Sequence, residues 1–285
     1  MKKMKYLGTL LLAAAITFSM ISCGGSSSSD SNKVTILYPN WAEGIAFTYL
    51  AKVALENHDY AVNLINLEPG LIYGELSKSN SKGDVFLDAW LPYTHEDYWN
   101  DYGDDLVKLG ESFSEGTTGL VVPSYVEINS IEELNAHRDR FGGEIIGIGS
   151  GSGVHRNTLR AIEEYDLDFE QVTSSGPAMV ASLDKAVKNN EWIVITGWKP
   201  HFMWSKFDLK YLDDPKGVYP MDVCAIISRK GFEEDMPEVA DFFKKFNLEE
   251  EQLYSLMAAI DEEGEEAGAQ KWYEDNRDLV DGWFE

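Results

Sequence analysis

The stretch that decides the fold is Ile145-Ile146-Gly147-Ile148-Gly149-Ser150-Gly151-Ser152-Gly153-Val154. It opens as a short apolar run of strand character, passes into a glycine-rich turn, and predicts a helix beyond it. Strand, tight turn and helix in succession are the unit of an α/β protein. The same alternation extends in both directions. Upstream, residues 34–38 read as a strand, and residues 43–57 as a helix with Ile45, Tyr49 and Val53 on one face. Residues 60–67 read as a strand, 71–79 as a short helix, and 85–87 and 119–122 as strands. Ser130-Ile131-Glu132-Glu133 has capping-box spacing and predicts a helix start. Residues 145–148 are the strand before the turn. Downstream, 179–189 read as a helix feeding a strand over 192–196, and the chain from Pro237 onward reads mostly as helix.

The N-terminus carries Lys2, Lys3 and Lys5 and then an apolar stretch ending Met20-Ile21-Ser22-Cys23. A basic segment followed by a short apolar one is a secretory signal, and the stretch is shorter than the ~20 residues a spanning helix needs. A small residue before Cys23 resembles the lipobox of bacterial lipoproteins. The expectation is a signal peptide over 1–22, lipid on Cys23, and a flexible Gly/Ser tether over 23–33. Lipidation leaves Cys224 alone, inside the apolar run Val223-Cys224-Ala225-Ile226-Ile227, where a buried inert thiol is expected. The full chain has net charge −25; losing three lysines and no acid with residues 1–22 makes it −28. A field of that sign argues against nucleic acid and against an anionic membrane surface.

Three of the eight tryptophans share one address. Trp41, Trp90 and Trp198 are each expected just past a strand, and the glycine turn ends a fourth. Ligands of open α/β sheets bind beyond the carboxyl ends of strands. One strand-end Trp is more often packing; three together point equally to a ligand. Trp99, Trp204, Trp272 and Trp283 fall in predicted helices and keep the packing role. An indole face is negative, and a quaternary ammonium has no hydrogen bond to donate, so π faces hold it at roughly 0.5–2 kcal/mol per contact. A carboxylate wall would attract the cation too, but would also admit metal ions and ordinary amines. The glycine turn offers the complementary chemistry, backbone N–H groups at a helix start that bind an anion. It matches neither G-x-G-x-x-G, nor a phosphate-binding G-x-x-x-x-G-K-[ST] loop, nor G-x-S-x-G. Of the five histidines, none pair at metal spacing. His58 and His137 read as surface positions, His201 as structural, and His155 as a source of positive character beside the turn. His95 is close enough to Trp90 to share its pocket. No catalytic triad, metal site or cofactor loop is recognisable, so the chain reads as a binding protein without cofactor.

These residues resemble the glycine betaine-binding proteins of osmoprotectant ABC importers. The resemblance is carried by Asn40-Trp41-Ala42-Glu43-Gly44-Ile45-Ala46, by Asp88-Ala89-Trp90-Leu91-Pro92 with Thr94-His95, and by Gly119-Leu120-Val121-Val122-Pro123. Asn129-Ser130-Ile131-Glu132-Glu133-Leu134, Ile195-Thr196-Gly197-Trp198-Lys199-Pro200-His201 and Lys210-Tyr211-Leu212-Asp213-Asp214-Pro215-Lys216 continue it in order. It implies an α/β, two-lobed, type II periplasmic-binding-protein fold with the ligand in the cleft. It also implies a box of Trp41, Trp90 and Trp198 for the trimethylammonium group, and the amides of Gly153 and Val154 with His95 for the carboxylate. The implied partners are glycine betaine or a similar zwitterion and an ABC permease with its ATPase subunits. The implied form is a monomer held to the outer face of a membrane by lipid alone. The expected lobes are 34–123 with 224–285, and 124–223. Two departures stand out. Gly149-Ser150 replaces a common Asp-Pro, and Ala225 falls where relatives often carry His. Choline or carnitine receptors are the alternatives within the class; an extracytoplasmic enzyme acting on a quaternary amine is the alternative outside it.

Overall fold

The computed structural model describes residues 32–285. Cys23, the expected signal peptide and the tether before Asn32 lie outside the described residues. The strands are β1 (Lys33–Tyr38), β2 (Ala61–Asn66), β3 (Val85–Leu91), β4 (Leu106–Pro123), β5 (Glu144–Ile146), β6 (Glu170–Val172), β7 (Ile195–Lys199), β8 (Leu209–Tyr211) and β9 (Asp222–Arg229). The helices are α1 (Ala42–Asn57), α2 (Pro69–Leu76), α3 (Glu96–Tyr102), α4 (Gly153–Glu164), α5 (Gly176–Asn189) and α6 (Met203–Lys206). After β9 come α7 (Phe232–Asp235), α8 (Pro237–Lys245), α9 (Glu250–Glu263), α10 (Glu265–Asp275) and α11 (Arg277–Asp281). None of the described helices is long and apolar enough to cross a membrane.

The strands pair in the order β2-β1-β3-β9-β4-β7-β5-β6, with β8 on the side of β4. β1 lies parallel to β2 and β3, and β5 parallel to β6 and β7, whereas β4 and β9 run antiparallel to their neighbours. The fold is therefore two α/β halves, each with a parallel core, joined by two antiparallel strands. β4 serves both halves. From Leu106 to Gly116 it pairs with β9, and from Thr117 onward with β7 and β8. β3 is buried along its whole length, as a strand covered on both faces must be. α9 and α10 pack on α1, and Phe242, Phe246 and Trp283 join Phe47 and Leu50 in the largest apolar cluster. A second cluster, with Leu120, Ile145, Phe169 and Val194, fills the other half.

Several elements differ from their sequence pattern. β4 extends far upstream of residue 119, because its register shifts at Lys108/Gly110, Glu111/Phe113 and Phe113/Gly116 break the period-2 alternation. In place of the helix expected from Ser130 there are two 3-10 segments, Ile131–Glu133 and Asn135–Phe141, the second interrupted at His137. The capping box forms, with the Ser130 and Asn129 N–H groups on Glu133 Oε1, but no continuous apolar face follows to extend it. Two strands continue past their expected ends. Trp90 lies inside β3, opposite Cys224, and Trp198 inside β7, opposite Thr118. Antiparallel partners supply ladder bonds there that an apolar-run criterion does not register. Of the three tryptophans, Trp41 alone sits past its strand, at the N-cap of α1.

Candidate ligand-binding site

Trp41, Trp90, Trp198, His95, Gly153 and Val154 all line one small cavity, together with Glu43, Thr94, Thr118, Ile148 and Ser152. The two halves contribute opposite walls. Trp41, Glu43, Trp90 and His95 come from α1, β3 and the turn after β3, whereas Trp198, Ile148, Gly153 and Val154 come from β7 and the β5–α4 turn.

Each indole is held by its N–H end or its flank. Trp90 Nε1 donates to Asp88 Oδ1 at 2.9 Å, and Trp198 Nε1 donates to Glu43 Oε2 at 2.8 Å. Trp90 lies flat enough on β4 that a Cβ on Gly116 would come within 3.0 Å of its ring. The edge of Trp198 meets His201, with ring centroids 4.6 Å apart. His201 is buried, and its Nδ1 accepts the Met203 N–H at 3.0 Å, a structural role. The N–H ends of Trp90 and Trp198 are thus satisfied within the protein, and both rings line the cavity together with Trp41.

His95 is fixed in one tautomer. Its Nδ1 accepts the Trp90 backbone N–H at 3.0 Å, so the proton resides on Nε2. Burial, with the nearby Arg156 charge adding to it, pushes its pKa down to about 3, so the ring is neutral. Nε2 is buried and has no hydrogen-bond partner among the described residues. The turn that carries His95 is pinned by Asp222, whose carboxylate accepts the Tyr93 N–H at 2.6 Å and the Thr94 N–H at 3.0 Å.

Facing it is the start of α4. Ser152 caps the helix, its hydroxyl accepting the His155 N–H at 3.3 Å. Gly153 and Val154 form the first turn, where N–H groups have no intrahelical acceptor and carry the positive end of the helix dipole. Only glycine fits at 153, because a Cβ there would lie 2.0 Å from the Thr94 carbonyl oxygen. His155 does not add the expected positive charge, since burial and then Arg156 lower its pKa. Arg156 instead ties the halves together. It donates from Nη2 to Thr94 O at 3.2 Å, pairs with Asp97 at 3.0 Å, and lies over the Tyr98 ring. Tyr98 in turn donates to Gly151 O at 2.8 Å.

Neither departure from the family pattern alters the cavity wall. Ala225 is buried with Phe86, Ala89 and Leu91 in an apolar cluster away from the cavity. Gly149 and Ser150 are not among the lining residues. Cys224 is buried and its thiol pKa raised, chiefly by burial. Among the described residues no cluster of His, Cys, Asp or Glu is placed to hold a metal ion. Two residues that matter were not singled out in the sequence. Glu43 and Asp88 anchor the indoles, and their only signal was adjacency to tryptophan within the matching motifs.

Two α/β halves with a small tryptophan-lined cavity between them define a two-lobed substrate-binding protein of the type II periplasmic kind. The family model for the substrate binding domain of ABC-type glycine betaine transport systems matches residues 32–275, and the chain belongs to that family. Lactococcal OpuAC, solved in its closed-liganded conformation with glycine betaine, is 34% identical. It superposes with a TM-score of 0.85 over 89% of this chain and 100% of its own. The glycine betaine/L-proline-binding protein ProX of Borrelia burgdorferi is 33% identical, with a TM-score of 0.84 over 88% and 96% of the two chains. The glycine betaine/carnitine transport binding protein GbuC of Listeria monocytogenes is 41% identical over 145 residues, 49% of this chain and 48% of the relative. The match thus spans about half the length of that curated relative.

Proposed function

We propose that this chain is the extracytoplasmic receptor of an ABC importer and binds glycine betaine between its lobes. One observation carries the proposal: three indoles, the unpartnered His95 Nε2 and the start of α4 all line the same cavity. Indole faces suit a quaternary ammonium and N–H donors at a helix start suit a carboxylate, so the set of residues suits a short zwitterion. Trp41, Trp90 and Trp198 surround the trimethylammonium group, while the Gly153 and Val154 amides and His95 hold the carboxylate. The lobes, proposed as 34–123 with 224–285 and as 124–223, separate about β4 and β9 and close when both ends of the ligand are engaged. The closed lactococcal relative with glycine betaine supports this reading. The same proposal has the chain act as a monomer that delivers its ligand to a permease with ATPase subunits, and the family's place in ABC-type transport supports the delivery. Calorimetric titration with glycine betaine, proline betaine, carnitine and choline tests the assignment; choline binding more tightly than betaine would overturn it.

His95→Ala isolates the anion end. A hydrogen bond to a charged group contributes about 1.5–3 kcal/mol, so glycine betaine weakens by about one to two orders of magnitude. Choline, which has no carboxylate, changes little, and the selectivity ratio shrinks. Equal weakening of both ligands would count against the carboxylate role. Because the ring is already neutral down to about pH 3, its contribution stays constant from pH 5 to 8.

Membrane attachment is assigned to lipid on Cys23. Cys23→Ala releases the protein into the soluble extracytoplasmic fraction. An intact mature protein whose mass shows no lipid would refute the anchor.

A further inference from the structure

Glu43 is the one carboxyl side chain on the cavity wall. It sits in the first turn of α1, is buried, and reaches across to the other half, where Trp198 Nε1 donates to its Oε2 at 2.8 Å. Its Oε1 has no partner among the described residues. Behind it stands Asp88, buried as well. Asp88 Oδ1 accepts the Trp90 indole N–H, its Oδ2 has no hydrogen-bond partner among the described residues, and the Cys224 thiol beside the carboxyl is a weak donor. Both carboxyls therefore stand behind the indole box, each with one oxygen unsatisfied by the protein.

A buried carboxylate is strongly unfavourable unless something compensates its charge. The burial of Glu43 is created in part by Trp198 arriving from the opposite half, so separation of the halves returns the carboxylate to water. We infer that Glu43 is a specificity-determining residue that makes closure conditional on a fixed positive charge inside the indole box. A quaternary ammonium compensates the carboxylate directly. A neutral group of the same shape does not, and closure around it requires Glu43 to bind one proton from solvent, going from carboxylate to carboxylic acid. The inference rests on the proposed glycine betaine site.

The electrostatics agree with the geometry. Within the cavity, burial raises the Glu43 pKa from 4.5 to about 8, with the Trp198 hydrogen bond opposing the rise. The titratable groups that face it are Asp88 from β3, Tyr254 from α9 and Cys224 from β9, with His95 across the cavity. Burial and the Glu43 charge raise Asp88, burial raises Tyr254 and Cys224, and His95 is neutral, so none supplies a positive charge. Asp88 belongs to the same half as Glu43, so their mutual repulsion is present whether the halves are apart or together. What closure adds is Trp198. The sign follows. A carboxyl whose pKa is higher closed than open disfavours closure as pH rises toward the closed value, about 8. A bound cation cancels that dependence, and a neutral isostere does not.

The experiment compares glycine betaine with 3,3-dimethylbutanoate, in which carbon replaces the ammonium nitrogen, by calorimetric titration from pH 5 to 8. In the wild type, betaine affinity stays level, and isostere affinity falls as pH rises, by up to about tenfold per pH unit. The selectivity ratio widens accordingly. In Glu43→Gln, whose amide oxygen still accepts the Trp198 N–H, the ratio becomes independent of pH; Glu43→Asp retains the slope. A wild-type ratio that is flat while betaine binds overturns the inference and leaves the function intact, as does a slope that survives in Glu43→Gln. Absence of betaine binding overturns the function itself. Should Glu43→Gln fail to fold, the wild-type profile alone decides.

Discussion

Trp198→Ala weakens glycine betaine by on the order of a hundredfold, and Trp90→Ala by more than tenfold. In each case a π face is lost, worth roughly 0.5–2 kcal/mol against a cation. For Trp198 the closed form also loses the donor to Glu43 Oε2, at about 1–3 kcal/mol, whereas the Trp90–Asp88 bond lies within β3 and its loss lowers stability in both forms. Since about 1.4 kcal/mol is a tenfold change in affinity, the sum for Trp198 exceeds either effect alone. Trp198 carries the larger loss because its bond spans the two halves and forms part of closure itself. Phenylalanine at either position keeps a face and loses the N–H, so its effect is intermediate. Calorimetric titration measures the affinities, and thermal melting of the unliganded variants separates binding loss from core damage, because both rings are also buried. Wild-type affinity after both alanine changes would remove the indole box from consideration.

The second large effect comes from one methyl group. In Gly153→Ala the new Cβ lies 2.0 Å from Thr94 O, 2.4 Å from Thr94 Cγ2 and 2.8 Å from the Thr94 carbonyl carbon. The obstacle is mainly backbone, pinned by Asp222 and by Arg156, so it cannot turn aside as a flexible side chain would. The contact joins α4 of one half to the turn after β3 of the other. The variant therefore folds normally with its halves apart and fails to bring them together. Betaine weakens by about a hundredfold or more, close to 2.8 kcal/mol, while the melting temperature of the unliganded protein is little changed. Small-angle scattering shows no compaction on adding betaine at concentrations that close the wild type. Compaction and affinity equal to wild type would mean that the helix start does not approach Thr94 in the bound form.

Much of the site was legible from motif and spacing. The three tryptophans, His95 and the glycine turn were each marked, and the cavity brings them together. Trp90 and Trp198 lie within β3 and β7 rather than beyond them, because cross-strand pairing with β9 and β4 extends both strands through residues that local apolar runs exclude. Glu43 and Asp88 went unmarked because a carboxylate in a helix or strand reads as a solvated charge. Only burial gives these two their role.

What the sequence determined by itself was the alternation of strands and helices, most of the residues that line the cavity, and the family. Each is written in local residue type, order and spacing, which survive without knowledge of distant contacts. The tertiary structure decided what depends on neighbours remote in the chain. β4 serves both halves because β9, over a hundred residues away, and β7 complete it in turn. His95 is neutral with its proton on Nε2 because the Trp90 N–H occupies Nδ1 and burial removes the charge. His155 loses its expected charge for the same reason, burial beside Arg156. Glu43 meets Trp198 across 155 positions of sequence. Dielectric surroundings and hydrogen-bond partners are properties of the packed chain, and no pattern along the sequence encodes them separately from the fold.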